Sequence, residues 1–167
     1  MGALLAFTSC TQDLDTEPID DDAVTSASLY NEAEDYKQVL AKCYSGLAMS
    51  GQDGPAGMPD ISGLDEGFSQ YLRLYWELQE LPTDEAIIAW NDGNLFHLWR
   101  NDWSSSNEFV RAMYNRLYYQ IAVANEFLRE ATDSKLDSRG ISGDDRTRVE
   151  TYRAEARFLR AFSYWNA

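Results

Sequence analysis

Two long apolar stripes in the second half of the chain constrain its fold more than anything else in it. From Ser105 onward, Val110, Met113, Tyr114, Leu117, Ile121, Ala124 and Leu128 recur at steps of three and four, the spacing that lines one face of an α-helix. Arg111, Asn115, Arg129 and Glu130 fall on its other faces. Ser105-Ser106-Asn107-Glu108 has the Ser-x-x-Glu spacing of a capping box and predicts where this helix opens. A second helix is predicted from Asp144, with Val149, Tyr152, Ala156 and Leu159 on one face and Phe158, Phe162 and Trp165 widening it. Ala154, Ala156 and Ala161 would let a neighbouring helix approach closely. The polar break between the two makes them a helical hairpin of the kind repeated in tetratricopeptide-like arrays. A stripe still apolar at Trp165 predicts more protein beyond Ala167, because an open hydrophobic face is an interaction surface.

An earlier helix is predicted from Tyr30 to Ala48, where Tyr36, Val39, Leu40, Cys43 and Leu47 form the stripe and Ser28 is available as a cap. Cys43 lies on that stripe and reads as a small buried hydrophobe. Repeated Gly and Pro then break the helix into a long loop. Tyr71, Leu72, Tyr75, Trp76 and Leu78 fit either a short helix or irregular aromatic packing. Pro82-Thr83-Asp84-Glu85 and Asn91-Asp92-Gly93-Asn94 read as turns, with Gly93 able to supply a positive φ. The elements this spacing predicts are helices joined by loops, and the predicted class is all-α with long irregular loops.

With 167 residues there is enough chain for one core. A hydrophobic content of 44% and a charged content of 25% are those of a folded globular chain. The net charge of -14 would repel a phosphate backbone, which excludes nucleic acid as a partner. The two cysteines cannot make a disulfide framework. His97, the lone histidine, has no ligating company for a metal and reads as a hydrogen-bonded residue beside Trp99. No cofactor is called for.

The first ten residues, M-G-A-L-L-A-F-T-S-C, are a short apolar run ending in small residues and Cys10. They read either as the end of a secretory signal whose Cys10 carries a lipid, or as a frayed apolar end with an incidental cysteine. Residues 11–29 are acidic and broken by Pro18, and are expected to form an extended tether. Residues 30–167 then hold the helical domain.

The stretch from Pro59 to Trp103 concentrates chemistry, with Trp76, Trp90, Trp99 and Trp103 interleaved with Asp65, Glu66, Arg73, Asp84, Glu85, Asn91 and Asn94. Flat rings beside planar hydrogen-bonding groups suit a sugar. Composition alone favours the other reading, in which the four tryptophans are core. Carboxylate pairs among aromatics also raise a glycoside hydrolase, although sequence neighbours rarely stand the roughly 5 to 9.5 Å apart across a bond that hydrolysis needs. A helical scaffold that binds a protein partner and no sugar is the third reading.

A-E-A-R-F-L-R-A-F-S-Y-W at 154–165 resembles a helix found across the SusD/RagB outer-membrane lipoproteins. S-C-T-Q-D-L-D-T-E-P-I-D, P-D-I-S-G-L-D-E-G and E-L-P-T-D-E-A-I-I-A-W are similar to further family segments in the same order. The resemblance implies the N-terminal portion of a longer, mostly helical, non-enzymatic glycan-binding lipoprotein. Such proteins are lipid-anchored on the outer face of the outer membrane and sit on a SusC-like TonB-dependent transporter. It implies Asp65 and Arg73 as glycan ligands, and a carboxylate and a guanidinium can each bridge two neighbouring hydroxyls. A starch-binding member's platform tryptophan falls on Ile88 here, and its asparagine on Gly93. Trp90, Asn91 and Asn94 are the candidates to replace them, though Trp90 also matches a tryptophan beside that platform.

Overall fold

The computed structural model describes residues 19–20, 23–51, 59–65 and 67–167. Cys10, the lipid-anchor candidate, lies outside the described residues, as does Glu66. Seven helices follow one another: α1 (Ser26–Leu29), α2 (Ala33–Ser45), α3 (Tyr71–Glu80), α4 (Gly93–Arg100), α5 (Glu108–Glu130), α6 (Asp133–Ser138) and α7 (Gly143–Asn166). Among the described residues there is no strand, and a lone antiparallel bridge joins Gly51 to Pro59. The all-α expectation holds.

The centre of the fold is α5, which packs against α2, α3, α4 and α7. At 1.5 Å per residue it is about 34 Å long, enough to serve two core clusters. Near its start Phe109, Ala112, Met113 and Leu117 meet Tyr71 and Leu74 of α3, Leu81 just past its end, and Leu95 and Leu98 of α4. Near its end Phe127 and Ala131 meet Tyr36, Leu40 and Cys43 of α2 and Val149, Ala156 and Leu159 of α7. Each fully buried Leu or Phe contributes about 1.5–3 kcal/mol relative to exposure. Leu47 touches both clusters and joins them. Arg153 Nη1 donates to the Ala131 carbonyl (3.0 Å) and Arg160 Nη1 to Asn125 Oδ1 (2.9 Å), so α7 runs antiparallel to α5.

Cap chemistry sets the helix ends, and several differ from the expected ones. The opening of α5 is set by Asn107 rather than Ser105: its Oδ1 accepts the Phe109 and Val110 amides at 2.9 and 3.3 Å. Asn107 Nδ2 also donates to the Asn94 carbonyl (2.8 Å), which fastens the first turn of α4 to that of α5. Ser28 does not cap α2. It closes the short α1, at the end of the segment expected to be extended, by accepting the Thr25 amide at 3.0 Å. The α2 terminus is held instead by Asp35, whose carboxylate accepts the Asn31 and Glu32 amides at 2.8 and 2.9 Å. Gly93 has no left-handed role, since it begins α4; the left-handed residue is Asn101, which ends that helix at φ 58°. After α6, Gly140 takes φ 69° while the Ile141 amide reaches back to the Leu136 carbonyl (3.0 Å). That is a Schellman ending with buried Leu136 and Ile141 as its apolar pair.

The buried face of α5 is rotated from the predicted stripe. Tyr114 is 60% exposed, whereas Arg116, Gln120 and Glu130 are buried. Residues 71–80 resolve to a helix, with Tyr71 and Leu74 inward and Trp76 half exposed. Phe162 is partly buried and stacks on Tyr71 at 6.2 Å. Phe158 and Trp165 stand exposed, Trp165 at 79%. Cys43 is fully buried, and burial pushes its thiol up to about 11, as a structural cysteine requires.

Candidate functional site

The carboxylate Asp65 sits on the loop before α3. Its Oδ1 accepts the Gly67 amide at 2.7 Å, and a Cβ at Gly67 would lie 2.9 Å from the same oxygen. The glycine therefore permits the turn that folds this carboxylate back on its own loop. Phe68 follows at once, and Arg73, one turn into α3, lays its guanidinium over the Phe68 ring at 4.3 Å and near the Trp90 ring at 5.8 Å. Phe68 and Trp90 meet edge to face at 6.5 Å. Arg73 Nη1 donates to the Gly67 carbonyl (2.6 Å) and Nε to Glu77 Oε1 (2.8 Å). Asp65, Arg73 and Trp90 are thus brought together, and Gly67 and Phe68 are the residues that join them.

Beside this group is a cleft of about 390 Å³ lined by Asp65, Phe68, Asp92, Glu108 and Phe109 together with Gly63 and Leu64. Three carboxylates beside the partly exposed Phe68 ring accept hydrogen bonds from hydroxyls, offer one apolar face and repel anions. That chemistry suits a neutral polyhydroxylated ligand. Phe68, Asp92 and Glu108 are not among the sequence candidates for this site, since Asp92 reads as a turn residue and Glu108 as part of a capping box; Phe68 has a signal, its place directly after the Asp65-Glu66-Gly67 motif.

The remaining candidates are placed differently. Asn91 is exposed beside Trp90. Asn94 lines a separate, smaller cleft of about 110 Å³ with His97, Asp102 and Trp103, so it is not grouped with Asp65. His97 is hydrogen-bonded, its Nδ1 standing 2.7 Å from Asp102 Oδ1. The tryptophans are not core: Trp76, Trp90 and Trp103 are 51%, 57% and 42% exposed, and Trp99 is partly buried against Phe96. Trp90 and Trp103 stand on loops, whereas Trp76 and Trp99 belong to α3 and α4. Ile88 packs partly buried against the α3–α5 core.

Behind Arg73, Glu77 is 3% exposed and its Oε2 has no hydrogen-bond partner. Burial raises its carboxyl above the usual range, and the hydrogen bond from Arg73 offsets this only in part. Because the folded state favours the protonated form, the contribution of Glu77 to stability is full below its unfolded pKa and is lost as pH rises through the folded one. Glu77→Gln keeps an acceptor for Arg73 and removes the buried charge. Its expected melting temperature at neutral pH equals or exceeds that of the wild type, and a gain that fades in acid is the signature to read in a pH series. A clear loss at pH 7 would show that the ionised pair is a net stabiliser.

Among the described residues no group of three or more His, Cys, Asp or Glu side chains is arranged to hold a metal ion. No described helix is long and apolar enough to cross a membrane.

The fold and the cleft define the class: a protein all-helical in its described residues, whose loops carry an aromatic, carboxylate-lined cleft. No family model matches the chain. It is 38% identical over 159 residues to the starch-binding protein SusD of Bacteroides thetaiotaomicron, a match covering 95% of this chain and 26% of SusD. The chain spans about a quarter of that relative's length. Over that quarter the two are homologous, and this homology supports assignment to the SusD/RagB family.

Proposed function

We propose that this chain is part of a non-enzymatic, cell-surface glycan-binding lipoprotein that delivers sugar to a SusC-like TonB-dependent transporter. In this reading the protein is anchored to the outer membrane by a lipid on Cys10. The observation that carries it is the likeness to a starch-binding protein along nearly the whole chain, reinforced by the Asp65, Phe68, Arg73 and Trp90 group at the cleft. The antiparallel α5–α7 pair serves as a tetratricopeptide-type hairpin scaffolding the site. Asp65 accepts hydroxyl hydrogen bonds, Arg73 donates to a sugar edge from its place over Phe68, and Trp90 offers a ring face. Ile88 is an aliphatic residue packed against the core, so the stacking surface differs from one with a tryptophan there, and the preferred glycan differs with it.

Isothermal titration of the full-length protein against soluble starch, xylan, mannan, levan and arabinogalactan tests the proposal. Binding to one or a few of them is expected, with modest affinity because desolvating hydroxyls offsets much of the gain, and no reducing sugar is released. No heat with any polysaccharide would favour a second reading, a partner-binding helical scaffold, for which the exposed Phe158 and Trp165 on α7 are the specific observation.

A further inference from the structure

Of the described residues between 60 and 69 Ile61 alone is buried, and Asp65 is held within its own loop by the Gly67 amide. Ser62, Gly63 and Asp65 are exposed, and Leu64 and Phe68 are only partly packed. The ends of the segment are another matter. Arg116, on α5, is fully buried and grips both of them: Nη1 stands 2.8 Å from Asp60 Oδ1, Nε donates to the Ser69 carbonyl at 2.8 Å, and Nη2 reaches Ser69 Oγ at 3.4 Å. Ser69 is itself fully buried. The Asp60 amide is tied further to the Ser50 carbonyl at 3.0 Å.

We propose that Arg116 is the positioning residue of the glycan cleft: a single guanidinium staples residues 60 and 69 to α5 and so sets where Asp65 and the start of α3 stand. This rests on the reading of Asp65 and Arg73 as glycan ligands. The planar fork of arginine aims Nε and Nη2 at Ser69, while its charge meets Asp60 across 2.8 Å as an ion pair outside hydrogen-bond alignment. Lysine has the charge without the fork. Just past Ser69, Gln70 precedes the first residue of α3, and Arg73 follows one turn in, so the same staple places both proposed ligands. A buried arginine that served only the core would have no need to bridge both ends of a solvent-facing loop.

The test uses the full-length protein with Arg116→Lys and, as a milder variant, Asp60→Asn. Hydrogen exchange without glycan reads the staple directly: amides of 60–69 are expected to exchange about tenfold faster or more, with the core amides of α5 and α7 holding their protection. Affinity for whichever panel polysaccharide the wild type binds is expected to fall by about tenfold or more. Unchanged exchange at 60–69, or a rise shared evenly with α5 and α7, would overturn the proposal. So would loosened exchange with unchanged affinity, which would make Arg116 purely structural. A wild type that binds no glycan removes the functional reading and the positioning role with it. A wild type that binds as well as both variants removes only the staple.

Discussion

Glu130→Ala is expected to destabilise the domain by about 3–5 kcal/mol, the usual cost of removing one partner from a buried charge network. Glu130 is 1% exposed at the end of α5. Its Oε2 meets Arg139 Nη2 at 2.5 Å, its Oε1 meets Arg129 Nη2 at 2.8 Å, and Lys135 donates to it as well. Its backbone carbonyl takes the Tyr36 hydroxyl and Arg139 Nη1, both at 3.0 Å, so α2, α5 and α6 are tied at this point. Burial works against the carboxylate, but the hydrogen bonds from Arg139 and Lys135 outweigh it and hold the group below the usual carboxylate range. The lowered folded value means that this stability is present above the unfolded pKa and is lost as pH falls through the folded one. Urea unfolding should show a lower midpoint at unchanged slope, and the variant should lose part of the wild-type loss of stability in acid. A shift below about 1 kcal/mol, the scale of an exposed pair, would mean that solvent screens the network.

The two buried carboxylates titrate in opposite directions for one reason, the number of donors. Glu130 has three cationic neighbours, and Glu77 has Arg73 alone with one oxygen unpartnered. Sequence periodicity could not separate them. It placed Glu130 off the apolar face of α5 and passed over Arg116 and Gln120, because a pattern of apolar residues treats every polar residue as outward. Their spacing held the clue: 116 and 120 lie one turn apart beside Leu117 and Ile121, on a face that could not be solvated. The helices themselves were legible, since α2, α5 and α7 are long enough for a 3.6-residue period to emerge. Their ends were less so. Ser105 and Asn107 are both good caps, and the choice fell to Asn107 through its bond to the Asn94 carbonyl, a contact from another helix. The site was legible only as a set of residue types. The loop turn at Gly67 and the ring of Phe68 decide that Asp65, Arg73 and Trp90 share a place and that Asn94 does not, and neither follows from spacing.

Trp90→Ala is expected to lower glycan affinity by about ten- to a hundredfold, or about 1.4–2.8 kcal/mol, while shifting stability by less than about 1 kcal/mol. The two effects separate because the ring is 57% exposed, so much of its surface is still free to be buried by a ligand. What it gives the fold is an edge contact with Phe68 and a distant approach to Arg73 at 5.8 Å. Phe68→Ala is the contrasting variant. That ring sits between Trp90, the Arg73 guanidinium at 4.3 Å and Phe109 at 6.1 Å, so its loss lowers stability and affinity together. Titration calorimetry beside thermal unfolding reads both quantities on each protein. If Trp90→Ala binds as the wild type does while Phe68→Ala loses binding only in proportion to its stability, the sugar does not stack at Trp90. The ring face would then have to come from elsewhere, because Ile88, packed against the core, has no aromatic face to offer.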